Sequence, residues 1–387
     1  MYRETLDILC CPCCEGIEAP LAASQVFREM HDGELLDAIL HCTACGRWFR
    51  IEDGIADLVR DELREPERDR KFLSEVGCDL PVSDVKRSDA DQRIVDEGDH
   101  WGRFMRRFWD VGDRSIFDIR VKGTHPPLYI AGVLEPDDRD ADRRWGIFPN
   151  RTGDMLFAGL HLLAGKRGVD VGCGGGQFGL EAARQGVRMT SFDPSFEEVR
   201  LGREHARSVG ARNIDYLRAE PANPPFRRNT FDLFMAKDAL HHVPELENVF
   251  VRLLGICTAD AIAIIHEHVE KAPLKDKLLR RIAGPAVEKS RRRYAKHEIP
   301  GELLRDSANE DVSSAVIRPL MEKHFERIDS ANDLFFASDV EMYIHFAFGK
   351  RRWLSRIAHV AGFVGEKALL LLGQRQHFNF TGRRRTP

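Results

Sequence analysis

The sequence predicts an α/β fold, because from residue 155 to residue 269 short apolar runs alternate with helical segments, the signature of a parallel sheet covered by helices. Two further observations set the layout. A glycine-rich turn closes the first apolar run, Gly168–Gly179, reading G-V-D-V-G-C-G-G-G-Q-F-G, and two C-x-x-C pairs stand ahead of it in the first 45 residues. A chain of 387 residues also exceeds a single core, so two or three domains are expected.

With 58 basic and 62 acidic residues, the chain has no global field to draw it onto nucleic acid or a membrane. Its start, Met-Tyr-Arg-Glu-Thr, has no apolar leader, and nowhere do eighteen uncharged apolar residues run together. A soluble, cytoplasmic protein without a transmembrane segment is therefore expected. Six of the nine cysteines fall within the first 45 positions, while Cys78, Cys173 and Cys257 are scattered, which points to metal rather than disulfides.

Leu6–Cys45 carries C-C-P-C-C-E-G and later C-T-A-C-G, enough thiolates for a tetrahedral zinc site. Cys10/Cys13 and Cys11/Cys14 both have the spacing of the first pair. Pro12 and Gly16 match a C-P-x-C-x-G knuckle when Cys11 and Cys14 are the ligands, with Cys42 and Cys45 completing the set. The continuation Arg47–Leu58, R-W-F-R-I-E-D-G-I-A-D-L, resembles the end of the short zinc-ribbon activator subunits of tRNA and translation-factor methyltransferases. The resemblance implies a ribbon over residues 1–60 that holds a structural Zn2+ and covers an apolar edge of a methyltransferase on the same chain.

Residues 61–150 are expected to form a linker and a cap. Arg60–Asp99 is rich in charge and poor in aromatics, and reads as linker with some helix. In His100–Asp110, Trp101, Phe104, Met105, Phe108 and Trp109 recur at helical spacing, as a core-packed helix or a roof over a ligand cleft. Asp118–Asn150, dense in Pro, Gly and Asp, reads as loops with short strands.

The glycine turn requires residues without a Cβ where the chain reverses beneath a ligand. Its pattern, D-x-G-x-G-x-G with Asp170, Gly172, Gly174 and Gly176, places an acid where a pyrophosphate would be repelled and a cationic ligand attracted. These residues resemble the class I S-adenosylmethionine (SAM) methyltransferases over about Met155–Val269. The resemblance implies a Rossmann-like, seven-stranded class I methyltransferase sheet, here with the amino-terminal zinc ribbon and helical cap insertions, spanning residues 151–270.

The helix after the turn is expected over Gln177–Gln185, with Gly186 just past its end. Strand two, Val187–Asp193, precedes Pro194 and a helix to Val209; the resemblance gives Asp193 the ribose hydroxyls of SAM. Strand three is Asn213–Glu220, and the resemblance gives Glu220 the adenine amino group, although Pro221 has no N–H for adenine N1 and leaves that contact to Ala222 or a water. Asn223-Pro224-Pro225-Phe226 mimics the N-P-P-[YF] signature of amino-group methyltransferases. It precedes strand four, Phe231–Ala236, instead of following it, and is a decoy.

After strand four, Lys237–Pro244 (K-D-A-L-H-H-V-P) is similar to methyltransferases of quinone and other small-molecule biosynthesis. Lys237 is counted with the cofactor-facing residues, and His241 or His242 with the proton acceptors. Strand five, Ala261–Val269, ends in His266-Glu267-His268, which makes Glu267 and His268 further candidates for the base. The family's P-G-G turn before this strand is absent, Thr258-Ala259-Asp260 standing in its place.

Residues 271–322 are expected to be a basic helical insertion, since Lys271–Lys296 holds ten basic residues against Asp276 and Glu288. Residues 323–387 would supply strands six (Phe325–Asp329) and seven (His377–Thr381) around the insertion Ala331–Arg375. Within it Trp353–Leu372 is apolar on one side but broken by Arg356, His359, Glu366 and Lys367, as in a lid or a helix lying on a lipid surface. The reading as a whole is a SAM-dependent methyltransferase acting on a hydroxyl, carboxylate or acidic carbon of a small, lipid-linked or glycan-linked, anionic molecule. The alternatives are an RNA methyltransferase using the ribbon and basic run as a platform, and a non-catalytic partner subunit.

Overall fold

The computed structural model describes residues 1–14, 16–96, 98, 106, 160–268, 272–281, 285, 314–333, 336, 340, 344, 352–374 and 377–385. They fall into two compact units. The first comprises Met1–Met105, Ala164–Met235 and Val243–Ala261, and the second Arg106–Leu163, Ala236–His242 and Ile262–Pro387. The cap helix expected over His100–Asp110, the loops over Asp118–Asn150 and the basic run beyond residue 281, apart from isolated positions, lie outside the described residues.

In the first unit the short helix α1 (Arg3–Leu6) leads into four antiparallel strands, β1 (Leu21–Glu29), β2 (Leu35–Cys42), β3 (Trp48–Glu52) and β4 (Ile55–Asp57). After a 3-10 turn, helix α2 runs over Pro66–Val76. Pro66 opens it, Glu67 and Asp69 sit in its positive first turn, and Gly77 ends it at φ 66°. The segment read as a linker with some helix carries this helix, whose Phe72 and Leu73 bury with Ile39 and Trp48 of the ribbon.

The alternating part follows as β5 (Arg167–Val171), α3 (Gln177–Arg184), β6 (Arg188–Asp193), α4 (Phe196–Ser208) and β7 (Ile214–Arg218). β5, β6 and β7 are parallel neighbours, with Val171 beside Phe192 and Asp193 beside Arg218. The strand carboxyl ends therefore lie in one row, the edge on which open α/β sheets bind ligands. β8 (Phe231–Lys237), α5 (Leu246–Gly255) and β9 (Cys257–His268) complete the alternation, β8 lying beside β5. Because β9 already starts at Cys257, Thr258-Ala259-Asp260 are strand residues and no turn replaces the missing P-G-G.

The ribbon joins this sheet directly. β4 pairs in parallel with β7, Ala56 beside Leu217 and Asp57 beside Arg218. The strands consequently total eleven among the described residues: the expected seven, β5 to β11, and the ribbon's four continuing past β7. A second seam lies at the decoy tetrapeptide, where Cys10 N–H donates to Pro225 O (2.9 Å) and Arg227 N–H to Ile8 O (3.0 Å). Phe226 packs between Phe192 and Phe231, so this segment receives the first knuckle of the ribbon. Across the junction Arg203 of α4 donates to Glu34 at 2.6 Å.

In the second unit helix α6 (Ser314–His324) precedes β10 (Phe325–Asp333), and helix α7 (Arg352–Leu371) precedes β11 (His377–Arg384). β11 lies antiparallel between β9 and β10, with Phe378 opposite Glu267 and Phe380 opposite Ile265. β10 and β11 are longer than expected, since their pairing continues to Asp333 and Arg384. Leu369 of α7 buries with Ala272, Phe336 and Val340. None of the described helices is long and apolar enough to cross a membrane.

The junction also holds a buried ion cluster. Asp57 pairs with Arg50 and with Arg218 (3.3 Å), and Arg50 also binds Asp69. Arg50 is 2% exposed. Replacing one member leaves its partners charged and dry. Arg50→Met should therefore lower unfolding stability by about 3–5 kcal/mol, read as a lower urea midpoint at unchanged slope.

Candidate active site and metal centre

The turn after β5 is shaped by its glycines and fixed by its acids. Gly172, Gly174 and Gly176 have φ of 62°, 49° and 68°, a region that residues bearing a Cβ rarely adopt. At Gly176 an added Cβ would come within 2.1 Å of the Tyr216 ring, so the close packing of the turn on β7 requires glycine there. The Asp170 carboxylate, 1% exposed, accepts the Gly179 N–H at 3.0 Å and ties the first turn of α3 to the end of β5. The Asp193 carboxylate accepts Gly174 N–H (3.0 Å) and Ser195 N–H (2.8 Å), linking the glycine turn to the start of α4.

The turn is electrostatically negative. Loss of water and then the charges of Asp170, Asp193 and Glu198 push the Cys173 thiol well above its ordinary range. The same field favours a cation and opposes a pyrophosphate. Residues that crowd acids around bare backbone at parallel strand ends fit a sulfonium nucleoside carrying an amino group.

Glu220, just beyond β7, is buried, and burial raises its pKa against the opposing pull of Arg60. Arg60 Nε donates to Glu220 Oε1 at 2.8 Å. Arg60 is a residue that the sequence reading missed. It lies outside the motifs that define the fold, and Arg218, two residues before Glu220, is the basic residue nearest that acid in the sequence, so nothing local pointed to Arg60.

In the second unit, Glu267 is 0% exposed and accepts from Ala239 N–H (3.1 Å), Leu240 N–H (2.8 Å) and His241 N–H (3.4 Å). It also meets His241 Nδ1 at 2.7 Å. Glu267 thus holds the 3-10 turn Leu240–His242 and orients the buried His241 ring. The His242 ring lies with its centroid 4.0 Å from that of His241, tilted by 43°, and the residue is exposed. Lys237 Nζ pairs with Asp238 at 2.8 Å, and His266 Nε2 lies 3.7 Å from the same carboxylate. His268 belongs to β9, but its side chain lies outside the described residues.

At the other end of the first unit, ligand atoms of Cys11, Cys14, Cys42 and Cys45 all lie within 4.8 Å of one another. Ala44 and Cys45 N–H groups both reach Cys42 Sγ at 3.4 Å, as in a thiolate knuckle, and Gly46 takes φ 72° to close it. Burial acts to raise the Cys45 thiol, but Arg47 and the neighbouring sulfurs outweigh it and bring it to about 6. Cys10 is not part of the cluster; its N–H is used at the seam with Pro225, and burial pushes its thiol up to about 11. Four clustered sulfurs with amide donors fit a tetrahedral zinc ion.

Residues 169–276 match the family described as a methyltransferase domain, and residues 3–54 that of Trm112p-like proteins. The chain carries a class I SAM methyltransferase fold preceded by a Trm112p-like ribbon. Among its relatives is the ubiquinone biosynthesis O-methyltransferase of Methylobacterium sp. (strain 4-46), 36% identical over 150 residues, which are 39% of this chain and 53% of that protein. The protein of the same name from Citrobacter koseri is 28% identical over 121 residues, 31% of this chain and 46% of its own. The chain spans about half the length of the curated relatives it matches. Among solved structures, a SAM-dependent methyltransferase from Aquifex aeolicus shares 14% identity over 57% of this chain and 82% of its own, with a TM-score of 0.35, too low a likeness to bear on activity.

Two outcomes test the sites. Cys42→Ser should lose one zinc per chain by elemental analysis; a variant retaining full metal would refute the ligand set. Asp193→Asn should weaken SAM binding by about tenfold or more in calorimetry, since an amide replaces a bidentate charged acceptor.

Proposed function

We propose that the protein is a SAM-dependent methyltransferase whose acceptor is a hydroxyl, carboxylate or acidic carbon of a small, lipid-linked or glycan-linked molecule. The observation that carries the reading is the acid-lined glycine turn at the ends of parallel strands. SAM, when bound, supplies a methyl group on a sulfonium centre. The chain's residues would bind and orient it: Asp193 at the ribose hydroxyls, Glu220 at the adenine amino group, and the turn from Asp170 to Gly176 beneath the rest, with Lys237 also counted among the cofactor-facing residues.

The proton of the acceptor goes, on this reading, to His241. Glu267, already accepting three backbone N–H groups, serves as an acceptor toward the ring as well. It therefore selects the tautomer with hydrogen on Nδ1 and the lone pair on Nε2. Glu267 becomes a positioning residue and not the base, and the exposed His242 is secondary.

Relatives named for ubiquinone biosynthesis support a phenolic, lipid-linked acceptor. So does α7, which exposes Ile357, Val360, Val364 and Leu371 at helical spacing, the last 89% exposed. Lys277, Arg280 and Arg281 would favour an anionic group on it. Nine cysteines outside any disulfide, four clustered for zinc, suit the reducing cytoplasm.

The test is transfer of labelled methyl from SAM to soluble and prenylated catechols by the zinc-loaded chain. His241→Ala should lower kcat by about 100-fold with SAM affinity unchanged and should abolish the acid limb of the pH–rate profile. His242→Ala should stay near the parent rate. Failure of the parent to bind SAM in calorimetry would overturn the reading and leave a partner-subunit role.

A further inference from the structure

Resting on the cofactor reading above, we infer that the segment leaving the ribbon, Asp57–Arg60, is part of the adenosine site, with Arg60 as the residue that positions Glu220 for the adenine amino group. The observations follow one stretch of backbone. Just past the last β4–β7 pair, Leu58 N–H donates to Arg218 O at 2.7 Å, so the following residues are carried to the carboxyl end of β7. There the Arg60 guanidinium reaches Glu220 with Nε at 2.8 Å and Asp91 with a terminal nitrogen. Asp91 is itself held by Ser88 Oγ at 2.6 Å. A planar guanidinium bridging two carboxylates fixes the orientation of both, which a flexible ammonium would not do.

The same segment supports the neighbouring acid. Asp57 pairs with Arg218, whose Nε donates to Pro194 O at 2.9 Å, one residue beyond Asp193. Ala219 N–H also donates to Asp193 O at 3.1 Å. The ribose acid and the adenine acid are therefore both braced by side chains of the ribbon's exit segment, directly at Glu220 by Arg60 and at Pro194 through Asp57 and Arg218.

Charge gives the link a readable consequence. Burial raises the Glu220 carboxyl, Arg60 and a hydrogen bond from Asn223 lower it, and Asp91 raises it; Glu62, 3.6 Å from Arg60, is the other acid at the guanidinium. Without Arg60 the carboxyl takes up a proton at higher pH, and the neutral carboxyl is a weaker acceptor for an exocyclic amine than the carboxylate is. Pro221 offers no N–H beside it, which leaves adenine N1 to Ala222 or a water and the exocyclic amine to Glu220.

The test compares S-adenosylhomocysteine with S-inosylhomocysteine, which has a 6-oxo group in place of the amine, by calorimetry on the zinc-loaded full chain. Measurements run from about pH 5.5 to about pH 8, above the ordinary carboxylate range. Arg60→Gln should lose about tenfold in affinity for S-adenosylhomocysteine and far less for the inosine analogue, collapsing the adenine preference. The pH at which binding falls off on the acid side should move up. Arg60→Lys should recover part of the loss, and Arg70→Gln, which removes only the exposed pairs to Glu67 and Asp84, should match the parent.

Should Arg60→Gln fail to fold, Arg60→Lys carries the same two-ligand comparison. Equal losses for both ligands with an unmoved acid limb, or parent-like affinity for both, would overturn the inference while leaving the cofactor reading intact. A parent that binds neither ligand removes both.

Discussion

Two residue pairs, Ala56 beside Leu217 and Asp57 beside Arg218, are the constraint on which the first unit depends. All five residues of β7 are buried, and without β4 one edge of that strand would present unpaired amides and carbonyls beside apolar side chains. Covering that edge with a strand of the same chain satisfies the backbone, and the cost of burying Asp57 is offset by Arg50 and Arg218 on either side. The ribbon is thereby an extension of the sheet and not an appended module. That geometry is why a residue of its exit segment can reach an acid at the end of β7.

Carboxylates organise the sites by accepting backbone N–H groups. Asp170 holds Gly179, Asp193 holds Gly174 and Ser195, and Glu267 holds three consecutive amides of the turn that carries His241. Each bond settles an amide that has no partner in a strand or helix, and each points a charge at a fixed place. The groups proposed for cofactor binding and proton transfer are thus also the groups that shape the loops around them. Substitutions there mix folding with chemistry, whereas Arg60, outside those loops, allows the two to be separated.

The tetrapeptide Asn223–Phe226 illustrates how a motif changes meaning with position. Placed before strand four, it offers the Pro225 carbonyl to Cys10 and sets Phe226 between Phe192 and Phe231, which makes it a docking surface for the ribbon. The charged segment after the ribbon has a similar history. Its composition reads as linker with some helix, and the helix it forms, α2, buries Phe72 and Leu73 with Ile39 and Trp48 of the ribbon.

Local chemistry was legible in the sequence. Glycines at positive φ, an acid at the end of each apolar run, a proline opening α2 and paired cysteines all act over a few residues, so the α/β order, the glycine turn and the cysteine cluster could be read without coordinates. Partners distant in the chain could not. That Glu267 would clasp His241, that Arg60 would cross to Glu220, and that β4 would find β7 depend on which strand edges are left open once the sheet forms. Sequence determined the elements and the residue types at their ends; tertiary structure decided their pairings, because hydrogen bonds and ion pairs between remote residues are selected by packing and burial and not by spacing along the chain.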